Sequence, residues 1–506
     1  MILRRLLPLL IAALLAALCS APASARPVAS LLGTPAHEMD WLMTYDAVVK
    51  DGALRWRDIR NLYEIPSKAD STRSVAVVNE AYDPLLRQRL AYWRKKVGMP
   101  AMKSDQLRVL GPDGVHAPSG GDVAQLDDIA EQDMDIEAIW SVCPSCKVTA
   151  FNWPSGTERD LVSVLKSIVR LGIPWTSMSF GGPESSADVR DSAVFATPGT
   201  FWAAASGDNG YLDGPSWPAM APHVLAVGGT SISTVAPGLS WNAGLWVGED
   251  DYEVDGTEND GGSGSGCSTL EPAVPENTAG ASFCGSMRAS ADISALADPA
   301  TGLAVYIGDG TSDQGWIHGG GTSLSAPLVT AMYALNGNTD AFSVYANAKA
   351  APALFTDIRT GSTVGCDEAP DPRMCTARTG WDGPSGIGTP VSYLAFAPSV
   401  AKGATAGFGS FVDIAGGPTL ADPRVGAVSK LHYGAISAGA NGVRVTISKI
   451  TAVWKIAGAV VRTTTAQVPS LTMKPEWRGK KLSVTITLTF SDGSTTTRDS
   501  PSYVVS

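Results

Sequence analysis

Gly319-Gly320-Gly321-Thr322-Ser323-Leu324-Ser325-Ala326-Pro327 is the stretch from which the fold of this chain is read. Glycines let a backbone turn tightly and approach a ligand closely. The apolar run that follows, Leu328 to Leu335, suits a helix, and Pro327 fits its first turn. Ser323 then stands where a loop enters a helix, beside unpaired N–H groups and the positive end of the helix dipole. A hydroxyl there can act as a nucleophile with oxyanion donors at hand. A bare Gly-Thr-Ser triplet also reads as a capping serine in a glycine-rich turn.

Upstream of this stretch, strand and helix patterns alternate. Ser74 to Val78, Lys147 to Phe151, Trp175 to Phe180, Phe201 to Ser206 and Val224 to Val227 are short apolar runs that read as strands. Pro84 to Val97 carries Leu86, Leu90 and Trp93 at helical spacing and stops at Gly98; Asp160 to Leu171 is a second helix, ended by Gly172. Apolar strands alternating with helices imply an α/β fold, with a parallel sheet covered on both faces. Ligand sites in such sheets lie at the carboxyl ends of the strands, and Ser206-Gly207-Asp208-Asn209-Gly210 directly follows one of them.

A serine nucleophile needs a base. The five histidines are His37, His116, His223, His318 and His432, and none stands in a His-Gly-Thr context. Either the protein is inactive or another group takes the proton. The candidate is the acidic helix Asp127 to Ile139, where residues four apart share a face. That spacing leaves two carboxylate pairs open, Glu131/Asp135 and Asp133/Glu137. A pair sharing one proton can serve as a base in acid, where a histidine is already charged. The same pattern also describes a solvated acidic helix face.

Together these motifs resemble the sedolisins, serine-carboxyl peptidases with a subtilisin-like fold. Gly-Thr-Ser-x-Ser-Ala-Pro around Ser323, Glu-x-x-x-Asp-Ile-Glu at Glu131 to Glu137, and Ser-Gly-Asp-x-Gly at Ser206 to Gly210 occur in order, with Gly181-Gly182-Pro183-Glu184, Trp217-Pro218 and Ala291-Asp292-Ile293-Ser294 around them. The resemblance covers roughly residues 55 to 398. It implies Ser323 as nucleophile, Glu131 as general base, Asp135 as the carboxylate that orients it, and Asp208 at the oxyanion site. It implies protein or peptide substrates and activity in a window of roughly pH 3 to 5. It also implies one structural Ca2+ ion, held by the side chains of Asp357 and Asp382 and the carbonyls of Ile358, Arg378 and Gly380; two carboxylates with backbone oxygens suit a hard cation. Arg378 stands where glycine is frequent, and Phe180 stands where tryptophan is common. A catalytically inactive secreted binding protein on the same fold is the alternative of a different class.

Residues 1–25 read as a secretory signal: Arg4 and Arg5, then the apolar run Leu6 to Leu18, then Ala23-Ser24-Ala25 as cleavage site. A lipoprotein anchored at Cys19 is disfavoured by the bulky Leu18 before it. Residues 26–54 form a short lead-in without room for the large pro-domain usual in the family. Six cysteines then remain, and sequence order pairs them most simply as Cys143–Cys146, Cys267–Cys284 and Cys366–Cys375, one of fifteen connectivities. A formal charge of -11 argues against a nucleic-acid partner, and no later segment has the length and apolarity of a transmembrane helix. Residues 399–410 are a small, glycine-rich linker. Residues 411–506 carry alternating strands, such as Val443 to Ile447 and Leu482 to Leu488 with Trp454 as a core aromatic, which suggests an immunoglobulin-like β-sandwich. The oligomeric state is not legible.

Overall fold

The computed structural model describes residues 42–506, apart from 81, 119–125, 213, 233–252, 255–256, 259–260, 370, 401–410, 415–418, 421–424, 433–435, 441–442, 445–446, 467–469, 491–494 and 500–502. The signal segment, most of the lead-in and most of the linker therefore lie outside the described residues.

Seven strands form the central sheet: β1 Ser74–Asn79, β2 Leu107–Leu110, β3 Lys147–Asn152, β4 Trp175–Met178, β5 Phe201–Ala205, β6 Val224–Thr230 and β7 Ile293–Leu296. Their spatial order is β7-β6-β5-β4-β1-β3-β2, and every pairing is parallel. Four of the helices are α1 Leu86–Lys96, α2 Leu126–Val142, α3 Glu158–Arg170 and α4 Thr322–Asn336. One face of the sheet buries Val75, Val77, Val148 and Ala203 against Leu90, Ile136, Ile139 and Val329 of α1, α2 and α4. The other buries Ala76, Val78, Phe151 and Trp202 against Leu161, Val164 and Ile168 of α3. Alternate residues of each strand thus enter opposite cores, which is why the strands read as unbroken apolar runs.

α4 lies against α2 and reaches strands β4 to β7. Its residues from Thr322 to Ala334 are all buried except Ser323. The helix begins at Thr322 rather than after Pro327, so Pro327 is an interior residue and not a first-turn one. A proline there removes one helical hydrogen bond; its acceptor would have been the Ser323 carbonyl, four residues back. The Ser325 hydroxyl ties the first turn to the Ala295 and Leu296 carbonyls of β7, at 3.0 and 2.9 Å.

The helix Tyr45–Asp51 is followed by Leu54, whose N–H donates to Gly302, while Met43 bridges to Trp316. The residues from 42 onward thus pack on the hairpin Leu303–Tyr306/Trp316–Gly319 that leads into α4. All three disulfides form in sequence order, Cys143–Cys146, Cys267–Cys284 and Cys366–Cys375. The first closes the turn directly after α2.

The C-terminal region is all-β and antiparallel. Ile450, Ala452, Trp454 and Ile456 alternate inward from one long strand and meet Leu482, Val484, Ile486 and Leu488 from its neighbour. Trp454 is fully buried, and its indole N–H donates to the Thr464 hydroxyl at 2.9 Å.

Candidate active site

The carboxyl ends of β4 and β5 and the amino end of α4 enclose a cleft of about 320 Å³. Its lining includes Ser179, Phe180, Gly181, Asp208, Thr322 and Ser323. Each strand ends in a polar loop there, because strand ends expose backbone groups that apolar side chains cannot serve. Phe180 packs edge-on to Trp153, with ring centroids 4.9 Å apart.

Ser323 is the second residue of α4. The Thr322 N–H before it donates to Asp208 Oδ1 at 2.8 Å, and the Leu324 N–H after it donates to Gly321. The Ser323 N–H donates to no acceptor among the described residues, as expected of a first-turn amide. The Thr322 hydroxyl adds a second bond to Asp208 Oδ1, at 2.6 Å. Gly321 has φ 77°, and a Cβ there would stand 2.5 Å from Asp208 Oδ2. Only glycine therefore lets the Asp208 carboxyl lie against the start of the helix.

The acidic helix α2 packs against α4 behind Ser323. Glu131 and Asp135 face Ser323 and Ser179, while Asp133 faces Arg89 and Glu137 faces Tyr306. Asp135 is fully buried; its Oδ1 accepts from the Ser179 hydroxyl at 2.7 Å and its Oδ2 from Asn79 Nδ2 at 3.4 Å. Burial holds Asp135 above the usual carboxylate range, partly offset by Ser179 and Asn79. Glu131 is pushed well above its ordinary value by burial first and by the Asp135 charge second; the Ser323 and Ser179 hydroxyls draw it back, and Asp208 raises it further. Two adjacent buried carboxyls cannot both ionise cheaply, so the pair keeps one proton. Glu131 Oε1 has no hydrogen-bond partner, which leaves an acceptor beside the Ser323 hydroxyl.

The second pair is not a solvated face. Asp133 and Glu137 are fully buried, and Arg89 reaches in from α1 to meet Asp133. The Arg89 guanidinium bonds Asp83 through Nη2 and Asp133 through Nε, the latter at 2.5 Å. Spacing within α2 could not reveal a cation supplied by another helix. Glu137 meets no cation directly; its Oε2 accepts the Tyr306 N–H at 3.2 Å, and its Oε1 has no partner. Burial and then the Asp133 charge raise it well above the usual range.

None of the three histidines with described side chains reaches Ser323. His116 pairs with Asp113 at the surface, and His223 is exposed at the amino end of β6, opposite the cleft. The His318 ring stands between the Pro299 carbonyl at 3.0 Å and Asp51 at 3.4 Å.

The five residues expected to hold a cation come together in one loop region. Asp357 Oδ1 accepts the Gly380 N–H at 3.1 Å, and Asp382 Oδ2 accepts the Arg378 N–H at 2.8 Å. The carbonyls of Ile358, Arg378 and Gly380 accept no hydrogen bond from the described residues. Burial pushes Asp382 up to about 7, and the Asp357 charge adds to the shift. Two approaching carboxylates with unclaimed carbonyl oxygens are an oxygen donor set that fits a hard divalent cation. Arg359 is the nearby competitor, paired with Asp357 at 2.7 Å.

Sequence reasoning missed Asn79, Ser179 and Thr322. Asn79 and Ser179 are polar residues at the ends of strands β1 and β4, and Thr322 stands inside the glycine-rich stretch beside the nucleophile.

No family profile matches the chain. Kumamolisin from Bacillus sp. (strain MN-32) is 28% identical over 369 residues, covering 66% of this chain and 61% of its own length. Sedolisin from Pseudomonas sp. (strain 101) is 30% identical over 226 residues, covering 40% of this chain and 35% of its own. The chain thus spans about three fifths of the one relative and a third of the other. The solved structure of Pseudomonas sedolisin, a serine-carboxyl proteinase in complex with pseudo-iodotyrostatin, aligns with a TM-score of 0.56 at 22% identity, over 67% of this chain and 96% of that one. The chain is thus similar in sequence to kumamolisin and sedolisin, and its parallel-sheet architecture has the subtilisin-like fold.

Proposed function

We propose that this chain is a secreted serine-carboxyl peptidase that hydrolyses peptide bonds in acid through Ser323, Glu131, Asp135 and Asp208. The observation that carries the reading is the pairing of a partly exposed serine at a helix start with a buried carboxyl pair, and no histidine near it among the described residues. In the proposed reaction the Ser323 hydroxyl attacks the substrate carbonyl carbon. Its proton passes to Glu131, and the electron pair of the C=O moves onto oxygen. The Ser323 N–H and a protonated Asp208 then hold that oxyanion. Collapse expels the amine with the proton returned by Glu131, leaving an ester on Ser323 that water cleaves by the same steps in reverse roles. Asp135 keeps the proton shared within the pair.

Only the singly ionised pair can act as base. Because burial raises both carboxyls, the acid limb of the rate is shifted upward from where an exposed glutamate would place it. Likeness to kumamolisin and sedolisin and three disulfides support export; among the described residues no helix is long and apolar enough to cross a membrane. We assign the peptidase domain to residues 55–398 and an accessory all-β module to 411–506. Asp357 and Asp382, with the carbonyls of Ile358, Arg378 and Gly380, would hold a calcium ion, whose charge would neutralise the two carboxylates and fix the loop. Digestion of a denatured protein at acid pH, with the Ser323→Ala variant as control, tests the reading. Hydrolysis lost in the variant supports it; equal hydrolysis by both proteins rejects it.

A further inference from the structure

The Ser179 hydroxyl has one proton and two kinds of acceptor: the carboxyls of the acidic pair, Glu131 among them, and a backbone carbonyl. Asp135 Oδ1 lies 2.7 Å away, and the carbonyl oxygen of Ser323 lies 3.3 Å away. The second acceptor is open for a reason written in the sequence: residue 327 is a proline inside the helix, so no amide stands four residues on to bond the Ser323 carbonyl. Ser179 itself is buried at the end of β4, and both its partners are fixed by packed helices.

We propose that Ser179 is a positioning residue that divides its proton between Asp135 and the backbone of Ser323, and thereby sets how readily the acidic pair ionises. The inference rests on the peptidase reading of Ser323 and Glu131. A charged acceptor draws a hydroxyl more strongly than a neutral carbonyl. With the pair ionised, the Ser179 proton points to Asp135. With the pair fully protonated, that pull falls and the proton turns to the Ser323 carbonyl, pinning the peptide that carries the nucleophile. Proton loss from the pair therefore releases the turn at the same moment that it creates the base.

The groups acting on the pair are few. Glu131 and Asp135 face each other along α2, Asp208 approaches from the loop after β5, Asn79 donates from β1, and the Ser323 hydroxyl comes from α4. No lysine, arginine or histidine of the described residues is among them. Hydrogen-bond donors are thus what favours the charged form, and Ser179 makes the shortest such bond to Asp135.

Two substitutions push the system in opposite directions. Ser179→Ala removes the donor, so the pair ionises at higher pH. Pro327→Ala supplies an amide that competes for the Ser323 carbonyl and turns the Ser179 proton more to the acidic pair, so the pair ionises at lower pH. Ser179→Thr keeps the hydroxyl. The experiment is the pH dependence of kcat/KM on a small peptide, from pH 3 to 7, for the wild type and the three variants, with melting temperatures recorded alongside. The expected result is an acid limb moved up by about one pH unit in Ser179→Ala, moved down in Pro327→Ala, and near its original place in Ser179→Thr. An acid limb that stays in place in both Ser179→Ala and Pro327→Ala, whatever happens to the rate or the melting temperature, overturns the inference and leaves the peptidase reading intact. A wild type without Ser323-dependent hydrolysis overturns both.

Discussion

Glu137→Gln tests the second acidic cluster, and its effect can be worked from the geometry. Two buried carboxyls, from Asp83 and Asp133, bond the guanidinium of Arg89, and a third, from Glu137, lies near Asp133 without a cation of its own. Arg89 bonds the first two directly, so the proton that the cluster must retain belongs on Glu137. Its folded-state pKa is raised, mainly by burial, above the unfolded value of about 4.3. A raised value contributes stability that is complete below the unfolded pKa and is lost as pH climbs toward the folded one. Each pH unit in that interval is worth up to about 1.4 kcal/mol, which the wild type gives up at this site as the pH climbs toward the folded-state value. Glutamine keeps the size and stays neutral at every pH. Melting curves at pH 5 and pH 7, taken in a Ser323→Ala background to prevent self-digestion, should show the glutamine variant matching its parent at pH 5 and exceeding it at pH 7. A variant that is less stable at both pH values by the same amount would refute the placement of the proton on Glu137.

Other expectations follow from the same structure. Asp133→Asn should change the hydrolysis rate little, because Asp133 faces away from Ser323, yet cost on the order of 2 kcal/mol of stability; Arg89 keeps Asp83, so the loss stays below the ~3–5 kcal/mol of a fully orphaned buried charge, and unfolding measurements decide. Excess chelator should lower the melting temperature, since an ion bound only by the folded state stabilises it, and Asp357→Asn should reproduce the effect. An unchanged melting temperature, with no metal found by elemental analysis, would remove calcium from the account. Truncation after about residue 400 should leave a folded domain active on small peptides; an insoluble or inactive product would make the all-β module part of the catalytic unit.

Much of this was legible in the chain because the relevant physics is local. Val75 to Val78 and Phe201 to Ala205 are apolar on both faces, and a strand buried on both faces needs to be. Glu131 and Asp135 share a helix face by spacing alone. What was hidden depends on contacts between distant segments. Arg89 is one helical position among several basic ones in Leu86–Lys96, and nothing in its neighbourhood says that it enters the core to meet Asp133. Asp133 and Glu137 therefore looked as ready to be a solvated face as a buried cluster. Pro327 misled the reading of the helix start, because a proline near a helix N-terminus ordinarily marks its first turn. Here α4 begins five residues earlier, and the acceptor that Pro327 leaves open lies within reach of the Ser179 hydroxyl from another segment.

The central claim is that a carboxyl, and not an imidazole, takes the proton of Ser323. The most direct measurement is the rate of peptide hydrolysis by Glu131→Gln across pH 3 to 8, beside the wild type and variants of His223 and His318. The account predicts a wild-type optimum in acid solution, falling toward neutrality, and a loss of about two orders of magnitude or more in Glu131→Gln, with both histidine variants close to wild type. A neutral optimum that survives in Glu131→Gln and disappears when either histidine is replaced would contradict it.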